Sequence, residues 1–547
     1  MIICIFQLNT CEIQDFYSPD YMGWQMIKIT IDAKVYEALQ KAFPKPANTA
    51  HRALAKYISV LENMLFKSLH FAATPLQQKL DLFAISLQQL ANQGGQIGPK
   101  KLRVHAWLRN NNLNLVEAVI TGSNLTGSVS QCKLTSLVTM VDTLAVEDKI
   151  LISLSSDREL DQYLSGDEFS SYQLVNLLYP EIKRRASDAE LDELFDVVPV
   201  DKESVKSYIV WLSTEADLIT LEKKNQALRQ ARIILAIASV FNGNYLQRKK
   251  PSLFGRMYYE GTSVQNINKE LRRAVLGNCW EYDIRSSVVA WKMGWAKQYI
   301  DARGQGEDLR RVFSATLNFL EDKADFMGTV QYFTFRDDSP VHIDLQPKLL
   351  KQAFTAISFG ARQNTTGWQN ESGGWTNPAL VDIIKNVNDR ERFLADPTVQ
   401  AYINEQGILD AHLYELVKVQ RRDLLSKSFL QTPSGRPSKS KILAYLYQHD
   451  ETEVMDIVCA VAAEHGREPI ARVHDAIFFK RKLSVDLRHE IEMTMQDRTK
   501  NSYWRLSHKE LYRYEPRYLK MEEEAHRERI RQESIRAQEH FANLSVD

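Results

Sequence analysis

The chain is poor in the residues that would class it quickly. It has 5 cysteines in 547 residues. They are Cys4, Cys11, Cys132, Cys279 and Cys459, scattered and without a Cys-x-x-Cys pair. That argues against a zinc module and for a reducing compartment, so a cytoplasmic location is expected. Met1 to Leu8 is apolar but meets polar Asn9-Thr10 at once, too short for a signal peptide or a membrane span. No membrane partner is expected, and Met26, just before a strand-like Ile27–Ile31, is an alternative start. Excess charge is lacking too: 69 basic side chains balance 69 acidic ones. Net charge therefore gives no support to nucleic-acid binding, and only its distribution can.

What is present is ordinary in bulk and unusual in detail. Hydrophobic residues make up 44% and charged residues 25%, as in a globular protein of roughly two to four structural units. Basic clusters stand at Gln247-Arg248-Lys249-Lys250, Arg272-Arg273, Arg421-Arg422 and Arg436–Lys441. Residues 27–90 read as mostly helical, Asn92–Pro99 as a loop, and 102–152 as short strands with a helix. Residues 155–242 read as helices, ending in a long one from Leu221 to Phe241 that Asn242-Gly243-Asn244 stops. Asp188-Ala189-Glu190 has the Asp-x-Glu form of a proofreading site but lies in an acidic helical stretch, and reads as a solvated face. From Pro516 the chain is nearly all charged, with pairs at i,i+4 as on an exposed helix.

Two acids stand where apolar strands would not carry them without purpose. Asp475 lies in the strand-like run Ala471–Phe479, and Asp283 follows Trp280-Glu281-Tyr282. Acids brought together from distant strands can hold two Mg²⁺ ions about 3.5–4 Å apart, which is what phosphoryl transfer asks of them. Between the acids, Lys348 to Gly360 has no helix breaker until its end. Lys351, Thr355 and Phe359 share one face at four-residue spacing. A cation, a hydroxyl and a ring on one face can hold a nucleoside triphosphate; the same pattern also suits a plain amphipathic helix with solvated lysines.

These segments together resemble family A DNA polymerases and the single-subunit phage-type RNA polymerases. Lys351-x7-Phe359-Gly360 resembles the nucleotide-binding finger helix, Tyr282-Asp283 the first metal-binding motif, and Val473-His474-Asp475 the second. Gly255-Arg256, Gln265-Asn266 and Leu271-Arg272-Arg273 are similar to the segment gripping the primer–template. Gln448–Met455 is similar to the helix before the second acid. The resemblance implies an α+β right-hand fold of palm, fingers and helical thumb with an additional N-terminal domain. The boundaries expected are 1–153 for that domain, 154–250 for the thumb-like region, 251–515 for palm and fingers, and 516–547 for a charged helix.

The resemblance also implies roles. Asp283 and Asp475, with the Ile284 carbonyl, would hold two Mg²⁺, Mn²⁺ being the alternative ion. Lys351 and Lys348 would steady the triphosphate, Thr355 and Gly360 would belong to the same nucleotide face, and Phe359 would stack near the nascent pair. Arg256, Gln265, Asn266, Arg272, Gln448 and His474 would contact primer or template. The family's Arg four residues before the lysine is Pro347 here, its Tyr before the glycine is Phe359, and its Glu after the second acid is Ala476. Val288 stands where many DNA polymerases have Glu. Phe359, without a hydroxyl, and β-branched Val288 near the sugar lean towards deoxynucleotides. The activity implied is a DNA polymerase without proofreading, of the phage, plasmid or mobile-element kind. Its partners would be primer–template, nucleoside triphosphates and, through the N-terminal domain, replication proteins. The alternatives are a phage-type RNA polymerase and a non-catalytic DNA-binding replication protein.

Overall fold

The computed structural model describes residue 27 and residues 29–44, 47–70, 73–98, 101–122, 129–140, 193–214, 220–302, 309–361, 363–369 and 375–514. The expectations for Met1–Leu8, for Cys4 and Cys11, for Asp188–Glu190 and for the tail from Pro516 lie outside these residues. The chain forms two compact units. One draws on Met1–Lys250, Tyr258–Cys279 and Glu510–Asp547, the other on Pro251–Met257 and Trp280–Lys509. The described helices include none long and apolar enough to cross a membrane.

The first unit mixes helices with small antiparallel sheets. Helix Leu221–Val240 forms because its apolar residues keep the helical period: Ala227, Ala231, Ile234 and Ala238 are all buried. It stops at Phe241, and the backbone then passes through positive φ at Asn242 (45°) and Gly243 (73°). Strand Asn244–Pro251 follows and pairs with Phe195–Pro199, Arg248 facing Phe195. The 193–250 stretch therefore carries a strand pair beside its helices, where only helices were expected. Residues 29–97 show the expected helical character in Ala33–Ala42 and Ala47–His70, with a short strand Ile29–Ile31 before them and another, Phe83–Ile85, after them.

The second unit is built on a four-stranded sheet in the order Pro469–Val473, Ala476–Phe479, Cys279–Ile284, Leu506–Leu511. The expected continuous strand Ala471–Phe479 is in fact a hairpin. Val473 pairs with Ala476, and His474-Asp475 form the two-residue turn. Such a turn needs positive φ, and His474 supplies it at 52°, in a region that histidine enters more readily than most residues. Behind the sheet, helices Ser287–Ala302, Gln346–Ser358, Pro397–Gln420 and Lys439–Glu464 enclose one apolar core containing Trp291, Phe354, Tyr402 and Met455. Each large apolar side chain withdrawn there stabilises the unit by about 1.5–3 kcal/mol.

One charged group inside this unit fixes a helix end. Lys292, only 2% exposed, reaches the Ser358 carbonyl at 2.5 Å and the Asp410 carboxylate at 2.6 Å. The ammonium thus satisfies a last-turn carbonyl of Gln346–Ser358 and opposes the negative end of its dipole. Burial pulls the Lys292 pKa down, and Asp410 holds it up.

Candidate active site

The two acids meet at one end of the two central strands of the second unit's sheet. Strand Cys279–Ile284 lies antiparallel to Ala476–Phe479 with Asp283 opposite Ala476. Asp475, one residue before Ala476, accepts from the Ile284 N–H through its carbonyl at 3.3 Å. The hairpin turn therefore delivers Asp475 beside Asp283, and the sheet register forces two like charges together. Burial pushes the Asp283 pKa up to about 7; Asp475 and Glu281 add to the rise, and Lys351 and Lys509 oppose it. The Asp283 Oδ1 is buried and, among the described residues, has no hydrogen-bond partner. Its main-chain carbonyl is engaged, accepting from the Ser507 hydroxyl at 3.2 Å.

Two lysines act on Asp283 through their charge, Lys351 and Lys509. Helix Gln346–Ser358 begins with Pro347 in its first turn and buries Leu350, Ala353, Phe354 and Ile357. The opposite face leaves Lys348, Lys351, Thr355 and Phe359 exposed. Phe359 is 51% exposed and so forgoes the burial that Phe354, at 0%, receives. The Thr355 hydroxyl donates back to the Lys351 carbonyl at 2.7 Å, and Gly360 ends the helix at φ 81°. Lys323, which the sequence reading passed over, is close enough to feel the charges of both Asp283 and Lys351. Burial lowers its pKa to about 8, helped by Lys351 and Arg285 and opposed by Asp283. Its ammonium donates to the Ser286 hydroxyl at 2.9 Å.

A third carboxylate flanks the site. Arg256 Nε and Nη2 both donate to Glu451 Oε2, at 2.6 and 2.5 Å. The Tyr447 hydroxyl donates to Glu451 Oε1 and lies 2.7 Å from the Ser287 hydroxyl. Glu451 is 1% exposed. Burial raises its pKa, Arg256 and Tyr447 oppose this, and Asp475 adds to it. Phe359 stands edge-on to Tyr447 with ring centroids 5.6 Å apart, so the Lys351 helix and the Glu451 cluster are in contact. Gly255 lets this segment approach the helix: a Cβ there would lie 2.7 Å from the His449 ring. Gln448 has a buried Oε1 that no described residue reaches.

The remaining expected residues fall elsewhere. Val288 is a core side chain, 7% exposed, and has little surface to offer a sugar. Gln265, Asn266 and Arg272 belong to the first unit. Arg272 is committed to loop carbonyls, with Nε 2.7 Å from Val264 O and Nη2 3.2 Å from Gln265 O. Asn266 braces the same loop, accepting from Ser263 N–H at 2.9 Å and donating to Gly261 O at 2.5 Å. Their hydrogen bonding is that of a well-made turn.

Among the described residues no three His, Cys, Asp or Glu side chains converge as a ready-made metal cage. Mg²⁺ nonetheless suits the site. It is commonly bound through one or two carboxylates, with water and substrate phosphate completing the shell. An orphaned, desolvated oxygen on Asp283 beside a second carboxylate is the donor set of that kind.

No family model matches the chain, and no curated protein matches it. Among solved structures that do, one is the POL domain of Pol1 from M. smegmatis in complex with DNA primer-template and dNTP. It is 13% identical with a TM-score of 0.34, over 65% of this chain and 63% of that one. The chain thus spans under two thirds of that domain. A likeness at this identity and TM-score defines neither fold nor activity.

Proposed function

We propose that the chain is a template-directed polymerase that joins deoxynucleotides to a primer 3′-hydroxyl, with the acid-bearing sheet as palm and the Lys351 helix as finger element. One observation carries this reading: Asp283 and Asp475, far apart in sequence, are held side by side, with an Asp283 oxygen that no described residue reaches and with the charges of Lys351 and Lys509 acting on Asp283. Structural carboxylates are not usually left so, because burying like charges together is unfavourable unless something positive joins them.

Asp283 and Asp475 would hold the metal, with the Ile284 carbonyl as a further oxygen. Bound there, Mg²⁺ lowers the pKa of an attacking hydroxyl and neutralises charge on a triphosphate. Lys351 and Lys348, exposed on one helix face, bind the phosphates as point charges. Lys323, buried deeper, keeps a positive field on the acids. Phe359 offers a ring face beside the nascent pair. Arg256 is held in place by Glu451, so its part is to shape the site more than to grip a backbone phosphate.

The burial of Val288 removes one of the two grounds for deoxynucleotide choice and leaves Phe359 alone to carry it. Ribonucleotide polymerisation is therefore the second reading. Primer extension with dNTPs and separately with NTPs, on DNA and on RNA templates with Mg²⁺, tests both. Incorporation of neither, with nucleic acid still bound, would leave a non-catalytic replication protein.

A further inference from the structure

The first unit contains a cavity of about 180 Å³ that none of the above uses. It is lined by Arg229 with Gln78, Gln226, Gln230, Thr262 and Asn266, and none of the residues lining it is acidic. Helix Leu221–Val240 supplies Gln226, Arg229 and Gln230. The turn at Gly261, φ 71°, brings in Thr262 and Asn266. A Cβ at Gly261 would lie 3.2 Å from the His70 carbonyl, so the glycine lets this wall close up.

Arg229 is an unusual occupant for such a place. It is 4% exposed, and its guanidinium lies over the Phe83 ring at 4.4 Å. Nη2 donates to the Leu82 carbonyl. Nε and Nη1 are buried and, among the described residues, have no acceptor. Burial lowers the Arg229 pKa to about 10; Asp81 acts against this and Arg232 with it. The group stays charged at neutral pH. A desolvated cation with donors unspent costs stability unless an anion joins it. The surrounding walls are already ordered: Gln78 Nε2 donates to Ala73 O at 3.1 Å, and Asn225 Nδ2 to Gln78 O at 3.1 Å.

We propose that this cavity is a phosphate-binding site, with Arg229 as the counter-charge and the side chains of Gln226, Gln230 and Thr262 as further donors. A carboxylate would use two acceptor oxygens; the number of donors in the walls suits a phosphate group with more. The site lies wholly within the first unit and stands apart from the polymerase reading, so either can fail without the other.

The test uses the full chain. Thermal unfolding in sodium phosphate, against sodium chloride at matched ionic strength, should show a saturable phosphate-specific rise in Tm. Arg229→Met should weaken phosphate binding by at least about tenfold, since a charge-assisted contact is lost. Gln230→Glu should do the same with the fold kept, by placing a competing carboxylate in the cavity. Amide exchange on the wild type locates the site without any variant: phosphate should protect residues 226–230 and 261–266. No phosphate-specific shift, protection only elsewhere, or unchanged binding by a folded variant would each overturn the proposal. Competition with one short DNA carrying a 5′-phosphate or a 5′-hydroxyl then separates the sources. Preference for the phosphorylated end assigns the site to a nucleic-acid terminus; equal effects assign it to free phosphate or a nucleotide.

Discussion

Two acidic regions of the second unit are buried on opposite terms. Glu451 is 1% exposed, but both its oxygens are taken, by Arg256 and by Tyr447. Asp283 is pressed against Asp475 and keeps an oxygen that no described residue reaches. Burial disfavours both carboxylates, so desolvation alone does not separate them. Partnership does. A buried charge whose partners are all present is a structural tie, and one whose partners are missing is a place where something else must bind.

The sharpest way to break this comparison is to neutralise each acid in turn. Asp283→Asn or Asp475→Asn should cut nucleotide incorporation at least about a hundredfold, the usual scale for losing a key electrostatic group. Nucleic-acid binding should hold, and thermal stability should hold or rise, because a repulsion has been removed. Normal primer extension by either variant would end the two-acid assignment. Glu451→Ala should do the reverse to the fold. It strands the Arg256 guanidinium and should lower unfolding stability by about 3–5 kcal/mol in a denaturant titration. If Glu451→Ala leaves stability unchanged, the distinction between tie and site collapses.

The same comparison predicts a pH signature. Folding moves the Asp283 pKa from 3.8 to about 7. Between those values the folded chain holds a proton that the unfolded chain has released. Stability in the absence of metal should therefore fall as pH rises through that window and level off above about 7. Mg²⁺ added at the alkaline end should restore stability by binding the folded state alone. Asp283→Asn should flatten the pH slope and abolish the Mg²⁺ response. A wild-type Tm indifferent to Mg²⁺ at alkaline pH would count against metal binding here.

How much of this was legible beforehand depends on range. The face carrying Lys351, Thr355 and Phe359 could be read because helical period is a local property. The two acids could be read because each interrupts an apolar run. That the second interrupts it as a turn was missed: the run is apolar on both sides, and the positive φ at His474 leaves no mark on composition. Tyr447 and Glu451 stand four apart on a helix, a spacing that could have paired them, but Gln448 drew attention instead. Arg256, their partner, is distant in sequence, and no spacing rule reaches that far. Lys323 hides in Asp322-Lys323-Ala324-Asp325, which reads as a solvated acidic turn. Arg229 hides likewise among the lysines and glutamines of its helix. Burial, not pattern, is what singles out these last two, and burial of a cation is decided by tertiary packing.

Lys351 tests the finger helix with a smaller effect. Lys351→Ala should raise the apparent KM for nucleotide by about tenfold, as expected when one charge-assisted phosphate contact is lost. Because Lys351 also lowers the Asp283 pKa, the variant should shift the pH profile of activity upward. A raised KM with an unmoved profile would make Lys351 a nucleotide contact without a share in the acids' field.

The smallest effect concerns the sugar. Val288→Gly was the natural probe of steric exclusion, but Val288 packs in the core, so the change should reduce stability by about 2–4 kcal/mol and leave sugar choice alone. Phe359 is the residue left to test. Its ring is 51% exposed and stands edge-on to Tyr447, whose hydroxyl is already engaged by Ser287 and Glu451. Phe359→Tyr would add a free hydroxyl on the nucleotide face. One neutral hydrogen bond changes free energy by about 0.5–1.5 kcal/mol, so the NTP-to-dNTP ratio of kcat/KM should move towards ribonucleotides by at most about tenfold. An unmoved ratio would take Phe359 away from the sugar and leave substrate choice to residues outside the Lys351 helix.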